Sequence, residues 1–398
     1  MKISIKKIQF IFLFLYLFFL AFFNFTPFYL ICAVMLILVT MIKICRKKIF
    51  TMTKYFYYQL IFIGYNLIYV ATGYSLNSEH TLDAIKTLCL NFVINMCILN
   101  TIENREDLLN VLRWFIPIAV FSNLYAIIYS HGTGVDGRLM HGLARPFSTT
   151  SYTSMEFASW AIYAGTIAIF FAINRSKKIY LCTFPLYWTI ILWSGSRKWL
   201  VFGALLQCAV YLFCNQKINY RKFLKRLLII LLICVIAIWF IMNNSTLYNI
   251  IGYRIMGYIM GTETSAISRN YLSQTAIMYI KKRPFFGYGL NTFRDVNKFN
   301  NWSEINYLEL AFGGGIILAV IYYAFLVYVI YKLFKIRKNN KLNLLFMFII
   351  LMIITSDSMS MSYLQRLEQF FISVSVLNLM IDNKERKKNV SKNLCCDA

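Results

Sequence analysis

The chain has 398 residues, of which 59% are hydrophobic and 18% aromatic, and its mean hydropathy is +0.60. A soluble core does not bury that much apolar surface, so lipid has to cover the remainder. The net charge of +25 comes from short basic clusters set between apolar runs, which excludes a nucleic-acid-binding face and fits membrane topology instead.

In chain order, the sequence reads as an all-α polytopic membrane protein with about twelve transmembrane helices, since a span needs about 20 apolar residues. The spans are expected near 8–23, 25–42, 55–73, 82–99, 111–129, 153–173, 179–193, 199–213, 224–241, 305–331, 342–355 and 364–381. No small-residue cleavage site follows the first stretch. Asn24, Thr26 and Pro27 lead straight into the second, so the first is read as a retained helix. Phe marks the spans and Tyr their ends, where amphipathic rings settle at the interface. Four parts follow: helices 1–9 over 1–242, a loop subdomain over 243–304, helices 10–12 over 305–381, and a basic tail over 382–398.

Alternate loops are strongly basic, through Lys2, Lys6 and Lys7, then Lys43, Arg46, Lys47, Lys48 and Lys54, then Arg175, Lys177 and Lys178. The same side continues with Lys217, Arg221, Lys222, Lys225 and Arg226, then Lys332, Lys335, Arg337, Lys338 and Lys341, and the tail from Lys384 to Lys392. By the bias of cytoplasmic loops toward Lys and Arg, both termini face the cytoplasm. The loop 101–112 dissents, being balanced by Glu103, Glu106 and Asp107.

On that topology two long connections are external, 130–152 and 243–304, and loops of such length usually carry function. The longer holds Arg254, Arg269, Lys281, Lys282, Arg283, Arg294 and Lys298 against Glu263, Asp295 and Glu304, an excess of positive charge on the side where the bias predicts little. Its centre, 268–280, reads as a helix capped by Ser268, with an apolar stripe through Leu272, Ala276 and Tyr279. The whole loop is expected to be a partly folded subdomain lying on the membrane.

Three outward segments carry the candidate chemistry. Trp193-Ser194-Gly195-Ser196-Arg197-Lys198-Trp199 is a short turn that sets a guanidinium at the lip of the bundle. That guanidinium is either an interfacial anchor or a phosphate clamp, with Ser194 and Ser196 adding hydroxyl donors. Ser268-Arg269-Asn270-Tyr271 is followed by Arg283-Pro284-Phe285-Phe286-Gly287-Tyr288-Gly289-Leu290-Asn291-Thr292-Phe293, in which Pro284 ends a helix and the glycines free the backbone. Ser303-Glu304-Ile305-Asn306-Tyr307-Leu308-Glu309-Leu310 runs into Gly313-Gly314-Gly315. Glu309 stands about a turn into a span, where a carboxylate is either functional or paired with an arginine, and Glu156 poses the same alternative. His131 and His141 share the shorter loop with Arg138 and Arg145, and His80 lies in another outward turn. No histidine pair has zinc-site spacing, and the ten cysteines read as packing residues, so no metal or other cofactor is expected.

The order of these segments resembles the O-antigen ligase and O-antigen or capsular polysaccharide polymerase superfamily, over roughly 145–317. The resemblance implies an inverting glycosyltransferase of the GT-C kind, acting on an undecaprenyl-diphosphate-linked oligosaccharide at the outer face of the cytoplasmic membrane. Its partners would be that lipid-linked donor, membrane lipids, and a chain-length regulator and flippase of the same pathway. Arg197 and Arg269 match the arginines that such enzymes keep for the donor diphosphate. In the ligases a histidine precedes the asparagine matched by Asn306; here that position is Ile305. The base is left among Glu304, Glu309 and His141, with Glu304 first because it borders both the loop and the motif. Arg138, His141, Arg145, Arg254, Arg283, Asn306 and Tyr307 are the expected substrate contacts. Polymerase is the leading reading, ligase the next, and a lipid-linked oligosaccharide flippase the alternative of another class.

Overall fold

The computed structural model describes residues 4–22, 27–48, 50–129, 154–175, 177–214, 220–245, 248–252, 256–257, 260, 264–337 and 340–396. Regular structure there is entirely helical: α1 (Ile5–Phe22), α2 (Pro27–Lys47), α3 (Lys54–Ala71), α4 (Ser78–Thr101), α5 (Arg105–Tyr129), α6 (Ser154–Asn174), α7 (Phe184–Trp193), α8 (Arg197–Phe213), α9 (Tyr220–Asn243), α10 (Thr264–Lys282), α11 (Asn306–Lys335), α12 (Lys341–Ser356) and α13 (Arg366–Cys396). The protein is a polytopic membrane protein. Every apolar run expected to span falls on helical chain, and among the described residues six helices are long and apolar enough to cross a bilayer: α1, α2, α4, α5, α6 and α11. The run 179–193 divides into a 3-10 turn, Lys178–Thr183, and the ten-residue α7, because Pro185 near the helix start donates no N–H to the turn before it. At 1.5 Å per residue, α7 alone is about 15 Å long, half a hydrocarbon core.

Two boundaries differ from the expectation. The loop helix α10 begins at Thr264, so Ser268 lies inside it and does not cap it. The basic tail is not separate from the last span, since α13 continues through it to Cys396.

The chain forms two compact units, Met1–Val39 with Leu109–Glu263, and Thr40–Leu108 with Thr264–Ala398; the last of the three points at which it passes between them falls inside 243–304. In the first unit α6 is the hub. Phe115 of α5 stacks on Trp160 at 5.2 Å, and a Cβ at Gly203 of α8 would meet Ile162 Cδ1 at 1.9 Å, so α8 approaches α6 as closely as a glycine permits. The Tyr187 hydroxyl donates to the Ile116 carbonyl at 3.0 Å and the Trp188 indole to Gln207 Oε1 at 3.1 Å, tying α7 to α5 and α8. Leu228, Leu232, Val235, Ile238 and Trp239 of α9 are exposed, the surface a bilayer covers.

The second unit packs α3 on α4 and α11, α4 on α13, and α11, α12 and α13 on one another. Tyr58 stacks on Phe325 at 4.4 Å, and the buried Tyr55 hydroxyl donates to Gln369 Oε1 at 2.7 Å. The stripe expected on α10 is the one it buries: Leu272 and Ala276 close a core with Tyr288, Phe293 and Phe312, against which Tyr279 packs. This seats α10 on the first turns of α11.

Candidate functional site

α11 is two helices joined at Gly315, whose φ of 71° and ψ of 178° break the ladder. The turn after α10 plugs the break. Tyr288 N–H donates to Phe312 O at 2.9 Å, Gly289 N–H to Gly313 O at 2.7 Å, and Ile316 N–H to Pro284 O at 2.8 Å. A Cβ on Gly315 would lie 2.0 Å from Phe285 O, and one on Gly287 2.3 Å from Phe312 O, so glycine is required at both faces of the contact. α3 satisfies the carbonyls freed there, Tyr65 donating to Gly314 O at 2.8 Å and Tyr69 to Phe286 O. The two glycine motifs of the sequence are thus halves of one joint.

On that joint the loop from Arg283 to Ile305 is held against the α3–α4 turn. Leu76 N–H donates to Tyr288 O at 2.8 Å and Asn291 Nδ2 to His80 O at 3.2 Å. His80 Nδ1 meets Asp295 Oδ2 at 2.9 Å, and the exposed Trp302 donates through its indole to Asn291 Oδ1 at 2.6 Å. The exposed Arg283 guanidinium lies 4.9 Å from the Tyr74 ring and 4.8 Å from that of Tyr288. Burial pushes the Tyr288 phenol up, while the Arg283 guanidinium pulls the other way.

Arg269 and Glu304 meet on this rim. Arg269 Nε donates to Glu304 Oε2 at 2.6 Å, with side-chain exposures of 29% and 34%. The bond uses Nε; the terminal Nη groups make no hydrogen bond to any described residue. Glu304 adopts φ 61°, a left-handed backbone that costs a non-glycine residue about 1–2 kcal/mol. That strain is held by Glu309, which is 0% exposed and accepts the Ser303 N–H through Oε2 at 3.1 Å. Glu309 Oε1 has no hydrogen-bond partner among the described residues, and Arg294 is a cation within its electrostatic reach. Glu309 therefore orders the turn from inside.

Asn306 is likewise buried. Its Nδ2 donates to Asp357 Oδ2 at 3.0 Å, the same oxygen that accepts Tyr323 and Ser362 hydroxyls at 2.9 Å each, and Ser362 N–H donates to Asn306 Oδ1 at 3.2 Å. Tyr307 donates to the Ile354 carbonyl. The motif around Asn306 ties α11 to the α12–α13 connection. The sequence places Arg294, Asp295 and His80 in outward segments without pairing them, and gives Asp357 no role; its only local signal is an isolated carboxylate ending an apolar helix.

In the first unit Arg197 opens α8 after Gly195, whose φ is 61°. Ser194 donates its hydroxyl to Ile191 O at 2.7 Å, so that hydroxyl serves the turn. The first turn of α8 carries Arg197 and Lys198 and no acid, the wrong charge for a helix dipole and the right one for a bound anion. Arg138, His141, Arg145 and Arg254 lie outside the described residues, as does His131. Among the described residues no cluster of His, Cys, Asp and Glu has the makings of a metal site.

A multi-pass membrane protein whose distinctive loop and broken helix lie within one continuous stretch invites comparison over that stretch. Residues 182–323 match the family described as O-antigen ligase. The chain carries an O-antigen ligase family domain there, and is a membrane protein of polysaccharide biosynthesis. The matched residues include Arg197, Arg269, Arg283, Glu304, Asn306, Tyr307 and Glu309. No curated protein matches the chain.

Proposed function

We propose that the protein is a polymerase that joins undecaprenyl-diphosphate-linked oligosaccharide repeat units into a surface polysaccharide at the outer face of the cytoplasmic membrane. The observation that carries this reading is Arg269, held in place through Nε while its Nη groups make no hydrogen bond to any described residue, within the segment that matches the O-antigen ligase family. A planar guanidinium edge is the shape that grips a phosphate with two parallel hydrogen bonds.

In the reaction, an acceptor hydroxyl of one lipid-linked unit attacks the anomeric carbon of the growing chain from the face opposite its diphosphate. The new glycosidic bond forms as the carbon–oxygen bond to phosphate breaks, the electron pair goes to the departing diphosphate, and configuration inverts. Arg269 stabilises the charge that builds on the leaving group. Glu304 takes the acceptor's proton: as the diphosphate claims the Arg269 guanidinium, the carboxylate is released beside the reacting sugars. The partly exposed pair is worth no more than about 1 kcal/mol, so a doubly charged ligand displaces it readily. The exposed Trp302, Phe285 and Phe286 are stacking surfaces for sugar rings. Ile305, where ligases have histidine, favours polymerase over ligase. A chain-length regulator and a flippase of the same pathway are the expected partners, and both termini of the chain face the cytoplasm.

Deletion in the native host, read on a gel of surface glycan, tests the assignment. A polymerase loss leaves single repeat units on the final acceptor. Long lipid-linked chains never attached would mean a ligase, and material trapped inside the cell would mean a flippase.

A further inference from the structure

At the far end of α11 from Glu309, a cavity of about 490 Å³ opens between the start of α3, the C-terminal part of α11 and the middle of α13. Its polar wall includes Thr53, Lys54, Tyr328, Lys332, Lys335 and Arg386, and no carboxylate lines it among the described residues. Lys54 Nζ and Lys332 Nζ lie 5.6 and 5.4 Å from the centroid of the same Tyr328 ring. Two ammonium groups at one ring concentrate like charge, which an anion held in the cavity would offset.

The start of α3 gives independent evidence. Thr53 holds the N-cap position with extended backbone, yet its hydroxyl caps nothing. Thr53 is 7% exposed, and its Oγ1 has no hydrogen-bond partner among the described residues. An unpartnered hydroxyl at a helix start, in a wall that also holds Lys54, Lys332, Lys335 and Arg386, supplies the elements of a phosphate receptor. Leu379 and Met380 supply an apolar wall beside it. Headgroup charge and adjoining acyl chain are thus both accommodated.

We propose that this cavity binds the phosphate of an anionic membrane lipid. On the orientation read from the basic loops it opens toward the cytoplasmic leaflet, where such lipids concentrate. The proposal stands apart from the glycosyl-transfer reading and does not depend on it.

Its test uses the full-length protein, titrated with phosphatidylglycerol, phosphatidylcholine or inorganic phosphate, with bound lipid counted by native mass spectrometry. Phosphatidylglycerol is expected to be preferred by about tenfold or more over phosphatidylcholine, since each lysine near an anionic headgroup is worth about 1 kcal/mol. Lys332→Gln with Lys335→Gln removes the preference, and Thr53→Val weakens it while leaving every charge in place. Arg221→Gln with Lys225→Gln, a basic pair in the first two turns of α9, leaves it unchanged. Displacement of phosphatidylglycerol by millimolar inorganic phosphate would make the occupant a soluble anion and overturn the lipid assignment. Equal retention of the two lipids, or a preference that survives in the Lys332/Lys335 variant, overturns the site.

Discussion

Arg269 reaches Glu304 across 35 positions of sequence and holds it through Nε alone, so the residue that would grip a phosphate also restrains the carboxylate that would take a proton. Arg269→Lys keeps the charge but loses the fork. Activity is expected to fall on the order of 10²-fold, the loss typical of one preorganised donor, with little change in protein level because a partly exposed pair adds at most about 1 kcal/mol. Glycan ladders and immunoblots of the complemented deletion strain report both quantities. Full-length polymer at normal protein level would remove Arg269 from the site.

Glu304→Gln retains an acceptor for Arg269 and cannot accept the acceptor's proton. Turnover is expected to drop about 10²- to 10⁴-fold at unchanged melting temperature. His80, aligned through Nδ1 by Asp295, is the other group on this rim that has the geometry of a base. Should His80→Gln abolish turnover while Glu304→Gln spares it, the proton belongs to the imidazole.

Glu309 separates a structural carboxylate from a chemical one. Glu309→Gln keeps an oxygen for the Ser303 N–H and is expected to fold and work nearly normally, whereas Glu309→Ala orphans that buried donor at about 1–3 kcal/mol. Melting curves of both variants decide the point. A well-folded but inactive Glu309→Gln protein would give Glu309 a catalytic role.

The helix break admits no side chain. Gly315→Ala puts a methyl 2.0 Å from Phe285 O at a φ of 71° and is expected to cost about 3 kcal/mol or more. Gly64 of α3 has open space around its missing Cβ, so Gly64→Ala is expected to be neutral or to stabilise by up to about 1 kcal/mol. Thermal melts of the two proteins in one detergent should differ in sign or clearly in size.

What the sequence made legible was local. Apolar runs mark helices wherever chain must cross lipid, and the Leu272, Ala276 and Tyr279 stripe of α10 packs as its spacing predicts. Length was less legible, because the run 179–193 looks continuous until Pro185 divides it. The pairings that build the rim were hidden altogether. His80 and Asp295 lie 215 positions apart, and nothing local tells Asn306 that Asp357 awaits it or turns Glu309 inward and Glu304 outward. The glycine motifs of 287–289 and 313–315 are individually ordinary; their meaning is the contact between them, which exists only in the fold.

The most direct test is transfer by the purified protein, using as substrate the polyprenyl-diphosphate oligosaccharides that accumulate in a host lacking this chain. Wild-type protein should lengthen the lipid-linked glycan and release polyprenyl diphosphate in equal amount, while folded Arg269→Ala protein should do neither. Lengthening by the Arg269→Ala protein at the wild-type rate would contradict the account.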